Sequence, residues 1–159
     1  MKKMDEIQLM ALAICKAKEG VGKGQTPFGA CVARKGRAIA VSHNTVWLSN
    51  DITAHAEMNA IRAACRKLGS IDLSGCTIYS TCEPCPMCFS AIHWAGIKKI
   101  ISGAYISDAK MAGFNELTIS NGTMKRCGKS DIVIAGGFLR EECAGLFEIW
   151  KNRKGRRAY

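Results

Sequence analysis

Apolar positions recur along this chain at two spacings, three-to-four and two, and the switches between them mark its elements. Ile7, Met10, Ala11 and Ile14 share a helical face within residues 4–19, and Gly20 stands where a C-terminal cap belongs. Residues 28–34 and 37–43 are expected to form two strands of a hairpin turning at Lys35-Gly36. Thr53 is placed to cap a helix over roughly 54–68, with Met58, Ile61, Ala64, Cys65 and Leu68 on its buried face. Cys76 to Ser80 is a short apolar strand, and Pro84 suits the first turn of a helix reaching about Ala95. Lys99 to Ala104 and Asp131 to Ala135 add strands. A last helix over roughly 139–153 gathers Leu139, Cys143, Leu146, Phe147 and Trp150 on one side. Strands alternating with helices after a hairpin predict a three-layer α/β domain. The glycine-rich segment from Gly20 to Gln25 is a connector, because Gly22-Lys23-Gly24 lacks the Lys-Ser/Thr ending of a phosphate loop. There is no internal repeat, low-complexity segment or linker, so one domain is expected over 1–159.

Composition narrows the class. With 159 residues, 48% of them apolar, the chain can bury a real core and is not expected to be disordered. No apolar run approaches the ~20 residues that span a bilayer. The start at Met1-Lys2-Lys3-Met4 leads into an amphipathic pattern, not a signal-peptide core, so a cytoplasmic protein without membrane association is expected. The nine cysteines are odd in number and read as reduced thiols. Cys15, Cys31, Cys65 and Cys143 sit among apolar neighbours as small hydrophobes, and Cys127 in a polar stretch has no assigned role. Part of the net charge of +10 is local to Lys151, Arg153, Lys154, Arg156 and Arg157. A basic tail without interleaved aromatics is more often a solvated helix end than a phosphate-contacting arm.

The candidate chemistry lies in His55-Ala56-Glu57 and Pro84-Cys85-Pro86-Met87-Cys88. One imidazole and two thiolates supply three ligands and leave a fourth position of a tetrahedral Zn²⁺ open, as catalytic zinc sites do. Their formal charges balance the metal, whereas calcium and magnesium prefer oxygen donors. Glu57 is then placed to move protons at the open position, the arrangement of zinc-dependent base deaminases. Two alternatives remain at this level: a structural zinc closed by Cys82, and a redox Cys-x-x-Cys pair. Neither uses the His-x-Glu spacing.

The segments Thr26-Pro27-Phe28-Gly29-Ala30, Thr53-Ala54-His55-Ala56-Glu57 and Thr81-Cys82-Glu83-Pro84-Cys85-Pro86-Met87-Cys88 resemble the cytidine-deaminase-like superfamily, most closely its bacterial guanine deaminases. The resemblance implies a three-layer α/β/α fold on a five-stranded mixed sheet, one zinc per subunit, and a homodimer whose C-terminal segment can exchange between subunits. It implies His55, Cys85 and Cys88 as zinc ligands and Glu57 as the catalytic proton shuttle. Asn44, otherwise a turn residue, matches the asparagine that holds the base. Ala56 is a further substrate contact, and Phe28 and Trp94 are candidate apolar walls. Glu116 stands where that branch typically carries an aspartate for the base's N–H groups, and Tyr159 matches a terminal tyrosine that caps a neighbouring subunit's site. One segment departs from this pattern: Gly136 to Leu146 resembles the last helix of tRNA adenosine deaminases. The expected reaction is therefore guanine to xanthine plus ammonia. The alternatives are adenosine-to-inosine deamination in tRNA, deamination of cytosine, a nucleoside or another amino-heterocycle, and a non-catalytic zinc-stabilised binding module.

Overall fold

A computed structural model describes residues 3–159; Met1 and Lys2, the first residues of the start read above as unlike a signal-peptide core, lie outside them. Helix α1 (Glu6–Gly22) is capped by Asp5, whose carboxylate accepts from Gln8 N. It does not stop before Gly20. Gly20 lies inside it, packed so closely on His43 that a Cβ there would come within 2.9 Å of the ring, and Lys23 forms the cap instead. Strands β1 (Gly29–Arg34) and β2 (Arg37–His43) form the expected hairpin. Lys35 and Gly36 both have positive φ, 51° and 72°, as a two-residue turn matched to strand twist requires.

A short helix α2 (Val46–Ser49) leads to α3 (Ala56–Leu68), β3 (Cys76–Cys82), α4 (Pro86–Trp94) and β4 (Lys99–Ala104). Short helices α5 (Ile106–Met111) and α6 (Asn121–Cys127) then precede β5 (Val133–Ala135) and α7 (Arg140–Lys151). The five strands run in the order β2-β1-β3-β4-β5, with β1 antiparallel to β2 and β3 and the β3-β4-β5 ladders parallel. This is the expected mixed sheet.

Alternation along the central strands divides the core into two layers. Cys31, Tyr79 and Ile101 face α1 and α7, meeting Leu9, Met10, Ala13, Leu146, Phe147 and Trp150. Val32, Ile78 and Ile100 face the other way and meet Ala60, Ile61 and Ala64 of α3 and Phe89 and Ile92 of α4. The two layers are pressed tightly on the sheet. A Cβ at Gly29 would lie 2.1 Å from Ala13 O, so only glycine lets α1 approach β1 this closely. Among the described residues no helix is long and apolar enough to cross a membrane.

This architecture points two helix N-termini at one place. Strand β3 ends at Cys82 and the chain turns directly into α4, while α3 starts beside it from the loop that follows α2.

Candidate active site

Both helices sacrifice a side-chain cap at the site. His55 is the N-cap of α3 and Cys85 the N-cap of α4, and neither side chain bonds its own first turn. Thr53, expected as the cap of α3, is used otherwise: its N–H and hydroxyl both donate to Asp51 Oδ1, at 2.8 and 2.7 Å. Pro86 rather than Pro84 occupies the first helical position of α4, where its missing N–H costs nothing. The unpaired N–H groups and positive dipole ends of both helices therefore face the ligands and favour thiolates.

The donor geometry fits zinc. Bonds of about 2.0 Å to nitrogen and 2.3 Å to sulfur at a tetrahedral angle separate those atoms by about 3.5 Å. His55 Nδ1 lies 3.6 Å from Sγ of Cys85 and 3.6 Å from Sγ of Cys88, and all three ligand atoms fall within 4.8 Å of one another. Cys82 does not join them. Its thiol donates to Tyr105 O at 3.4 Å, and burial pushes it well above its ordinary pKa, so among the described residues the cluster has three protein ligands.

On the protein's own electrostatics the two ligand sulfurs share one proton. The hydrogen bond from Cys88 brings Cys85 down to about 4, against burial and with help from His55, while Cys88 is raised. Burial works against protonation of His55, but Cys85 and Glu57 outweigh it and its pKa rises. Such a set attracts a thiophilic dication.

Glu57, in the first turn of α3, is buried, and burial pushes its carboxyl up. Ser80 donates its hydroxyl to Glu57 Oε1 at 3.0 Å, which leaves the other oxygen for proton transfer. Asn44 is fully buried at the end of β2. Its Oδ1 accepts from Val46 N at 3.0 Å, so its amide N–H is left to donate to the hydroxyl of Tyr159, a residue lining the cavity, at 2.6 Å. Glu116 lines the same cavity, raised to about 7 by burial and then by the Cys85 thiolate. Phe28 forms a wall, edge-on to Phe114 and Phe147 at 4.9 and 5.7 Å. Ala56 is fully buried beside His55 in the first turn. The outer cavity holds about 250 Å³ and is rimmed by Ile52, Met87, Leu117 and Tyr159; the recess between Phe28, Glu57 and Cys82 holds about 10 Å³, roughly one water.

Trp94 is not brought to this site. It ends α4 on the face opposite Cys88, Phe89 and Ile92, is 82% exposed, and borders a separate depression with His93 and Met124. Within the chain, Tyr159 lies at this site. Its ring stands 5.5 Å from that of His55, Asn115 N donates to its carbonyl at 2.9 Å, and Trp47 Nε1 donates to Arg157 O at 3.0 Å. The Arg157 guanidinium stacks on Trp47 at 4.1 Å and Lys151 pairs with Glu148, so part of the basic tail is engaged within the chain. The segment starting at Gly136 is structural: Arg140 pairs with Asp108 and covers Tyr105, and Cys143 packs against Gly103.

Several supporting residues escaped sequence reasoning. Asn59, one turn beyond His55, donates to His43 O, Thr45 Oγ1 and Ala54 O, tying the end of β2 to the His55 loop. Glu83 accepts from Asn121 N and Ile106 N, and Asn121 Nδ2 donates to Pro84 O, which anchors the cysteine hook. A glutamate and a serine beside an apolar strand were the available signals for Glu83 and Ser80; nothing local marked Asn121.

Comparison with known proteins agrees with this geometry. A family model described as the cytidine and deoxycytidylate deaminase zinc-binding region matches residues 3–104. The chain is 39% identical over 157 residues to the guanine deaminase of Bacillus subtilis (strain 168), covering 98% of this chain and 100% of that one. It is 35% identical over 153 residues to the tRNA-specific adenosine deaminase of the same organism, covering 93% and 92%. The solved guanine deaminase of Nitrosomonas europaea superposes with a TM-score of 0.88 at 26% identity, covering 96% of this chain and 88% of that one.

Proposed function

The chain belongs to the cytidine and deoxycytidylate deaminase zinc-binding family, and from that premise we propose that it hydrolyses free guanine to xanthine and ammonia. The observation that carries this choice is a fixed donor and an acidic acceptor on either side of Tyr159: Asn44 presents only its N–H groups to the phenol behind the cavity, and Glu116 presents a carboxyl in the cavity that Tyr159 also lines. Guanine offers the complement, a carbonyl acceptor beside N–H donors. The near full-length likeness to a guanine deaminase supports the same reading.

His55, Cys85 and Cys88 hold the metal. Zinc, when bound there, supplies a Lewis acid that makes water a nucleophile near neutral pH. Asn44 and Glu116 orient the ring, with Phe28 against its face. Glu57 accepts one proton from the attacking water and passes it to the ring nitrogen beside the amine-bearing carbon; it then takes the remaining proton of the added hydroxyl and passes it to the amine, which leaves as ammonia while the new carbonyl forms. Ser80 holds the carboxylate still throughout. The balance is guanine plus water to xanthine plus ammonia.

The adenosine-in-tRNA reading retains one favouring observation, the near full-length match to a tRNA-specific adenosine deaminase. The basic tail supports it less than its charge suggests, because the tail folds onto the mouth of the site and Arg157 is stacked on Trp47. We further propose a homodimer. Ile52 and Leu117, 62% and 64% exposed at the rim of the cavity, supply an apolar surface for a second copy.

Glu116 provides the test. Its pKa is raised to about 7, so the acceptor form is present above that value and lost below it. The KM for guanine is expected to fall as pH rises through about 7. Glu116→Gln should raise KM about tenfold or more at pH 8 and flatten that dependence. A pH-dependent KM unchanged by the substitution removes Glu116 from the base, and failure to form xanthine from guanine at any pH removes the assignment itself.

A further inference from the structure

The polar groups gathered around Tyr159 include one with no assigned role. Thr26 lies between α1 and β1, fully buried, in the stretch that leads to Phe28. Its Oγ1 has no hydrogen-bond partner of ordinary geometry, an uncommon condition for a buried hydroxyl. Thr26 O accepts from Phe28 N at 2.9 Å and Phe28 O accepts from Asn44 N at 3.1 Å, so Thr26 stands beside the Asn44 end of β2, and its hydroxyl adjoins the Tyr159 phenol. The same phenol oxygen accepts from Asn44 Nδ2 at 2.6 Å, and Asn44 cannot turn its oxygen inward because Val46 N holds it. Two donors from distant parts of the sequence thus converge where the chain's own last residue now places an oxygen. Asn121 Oδ1, also buried without a partner, differs: its amide is spent on Pro84 O at the cysteine hook.

We propose that Thr26 is a specificity-determining residue, and that its hydroxyl and the Asn44 amide both donate to the carbonyl oxygen of the purine once Tyr159 withdraws. A carbonyl oxygen carries two lone pairs and satisfies both donors, whereas a ring nitrogen offers one. An exocyclic amine in that position would leave both unpaired. A site built to hydrogen-bond a group discriminates strongly against analogues that lack it. The pair therefore selects an oxopurine over an aminopurine. This inference rests on the assignment of guanine as substrate.

The test compares guanine with 2-aminopurine, which carries the same reacting amine but no carbonyl, using the full zinc-loaded chain. In Thr26→Val, kcat/KM for guanine is expected to fall about tenfold, mainly through KM, with little change for 2-aminopurine. Thr26→Ser should restore guanine turnover, and Thr26→Ala serves where the valine chain fails to fold. The same selective fall is expected in a Tyr159→Phe background. An equal fall for both bases would show a structural role, and no fall would show none. A fall that disappears in the Tyr159→Phe background would show that the hydroxyl only latches the tail. Each of these overturns the inference while guanine turnover by the native chain stands. A native chain inactive on guanine overturns the substrate assignment and this inference together.

Discussion

Glu57→Ala is expected to reduce kcat on guanine by about a thousandfold or more while the protein keeps its zinc. The separation follows from the geometry. Glu57 is not among the three clustered ligand atoms, and Ser80 on β3 donates to its carboxylate. Removing it deletes the proton carrier without touching His55, Cys85 or Cys88. Glu57→Gln should be equally inactive, since it keeps the shape and the Ser80 contact but cannot take up a proton. Steady-state kinetics with metal analysis of the same samples checks both. Near-normal turnover by either variant would mean that another group moves the protons.

Cys85→Ala should behave in the opposite way, losing metal and activity together. Cys85 contributes the thiolate most readily formed, and its loss leaves His55 and Cys88, too few ligands to hold zinc against dilution. Zinc is expected to fall to a small fraction of one per chain, turnover to fall below detection, and the thermal midpoint to drop. A strong zinc chelator should reproduce the loss of turnover in the native chain. Zinc should restore it and magnesium should not, because the donors are sulfur and nitrogen. A Cys85→Ala protein that kept full zinc occupancy would place the metal elsewhere.

What the sequence made legible was what short-range pattern can encode. The β1-β2 hairpin follows from alternating residues around Lys35-Gly36, and the ligand set follows from the spacing of His55 with Glu57 and Cys85 with Cys88. Local signals misled where two groups competed for one role. Asp51 takes the Thr53 hydroxyl that would otherwise cap α3, and Pro86 rather than Pro84 starts α4. Gly20 reads as a helix end but is needed inside α1 for the approach of His43. The short helices α2, α5 and α6 are too brief to show a period.

The base-binding side of the site was the least legible. Asn44 meets Tyr159 across most of the chain, and Glu83 is anchored by Asn121, contacts that only the folded sheet creates. Glu116 and Tyr159 entered through family likeness; Trp94, expected as an apolar wall, is turned away from the site of its own chain. Thr26 was visible only as part of a resembling segment; its unpaired hydroxyl is a property of the fold.

One metal-centred site, with Glu57 as proton carrier, is expected to deaminate a free purine base. It is tested most directly by measuring ammonia release from guanine, guanosine, adenine, cytosine, cytidine and a tRNA anticodon stem-loop, each incubated with the zinc-loaded chain. Ammonia is expected from guanine, with xanthine formed in equal amount, and none from the stem-loop. Release from the stem-loop with guanine left intact would contradict it.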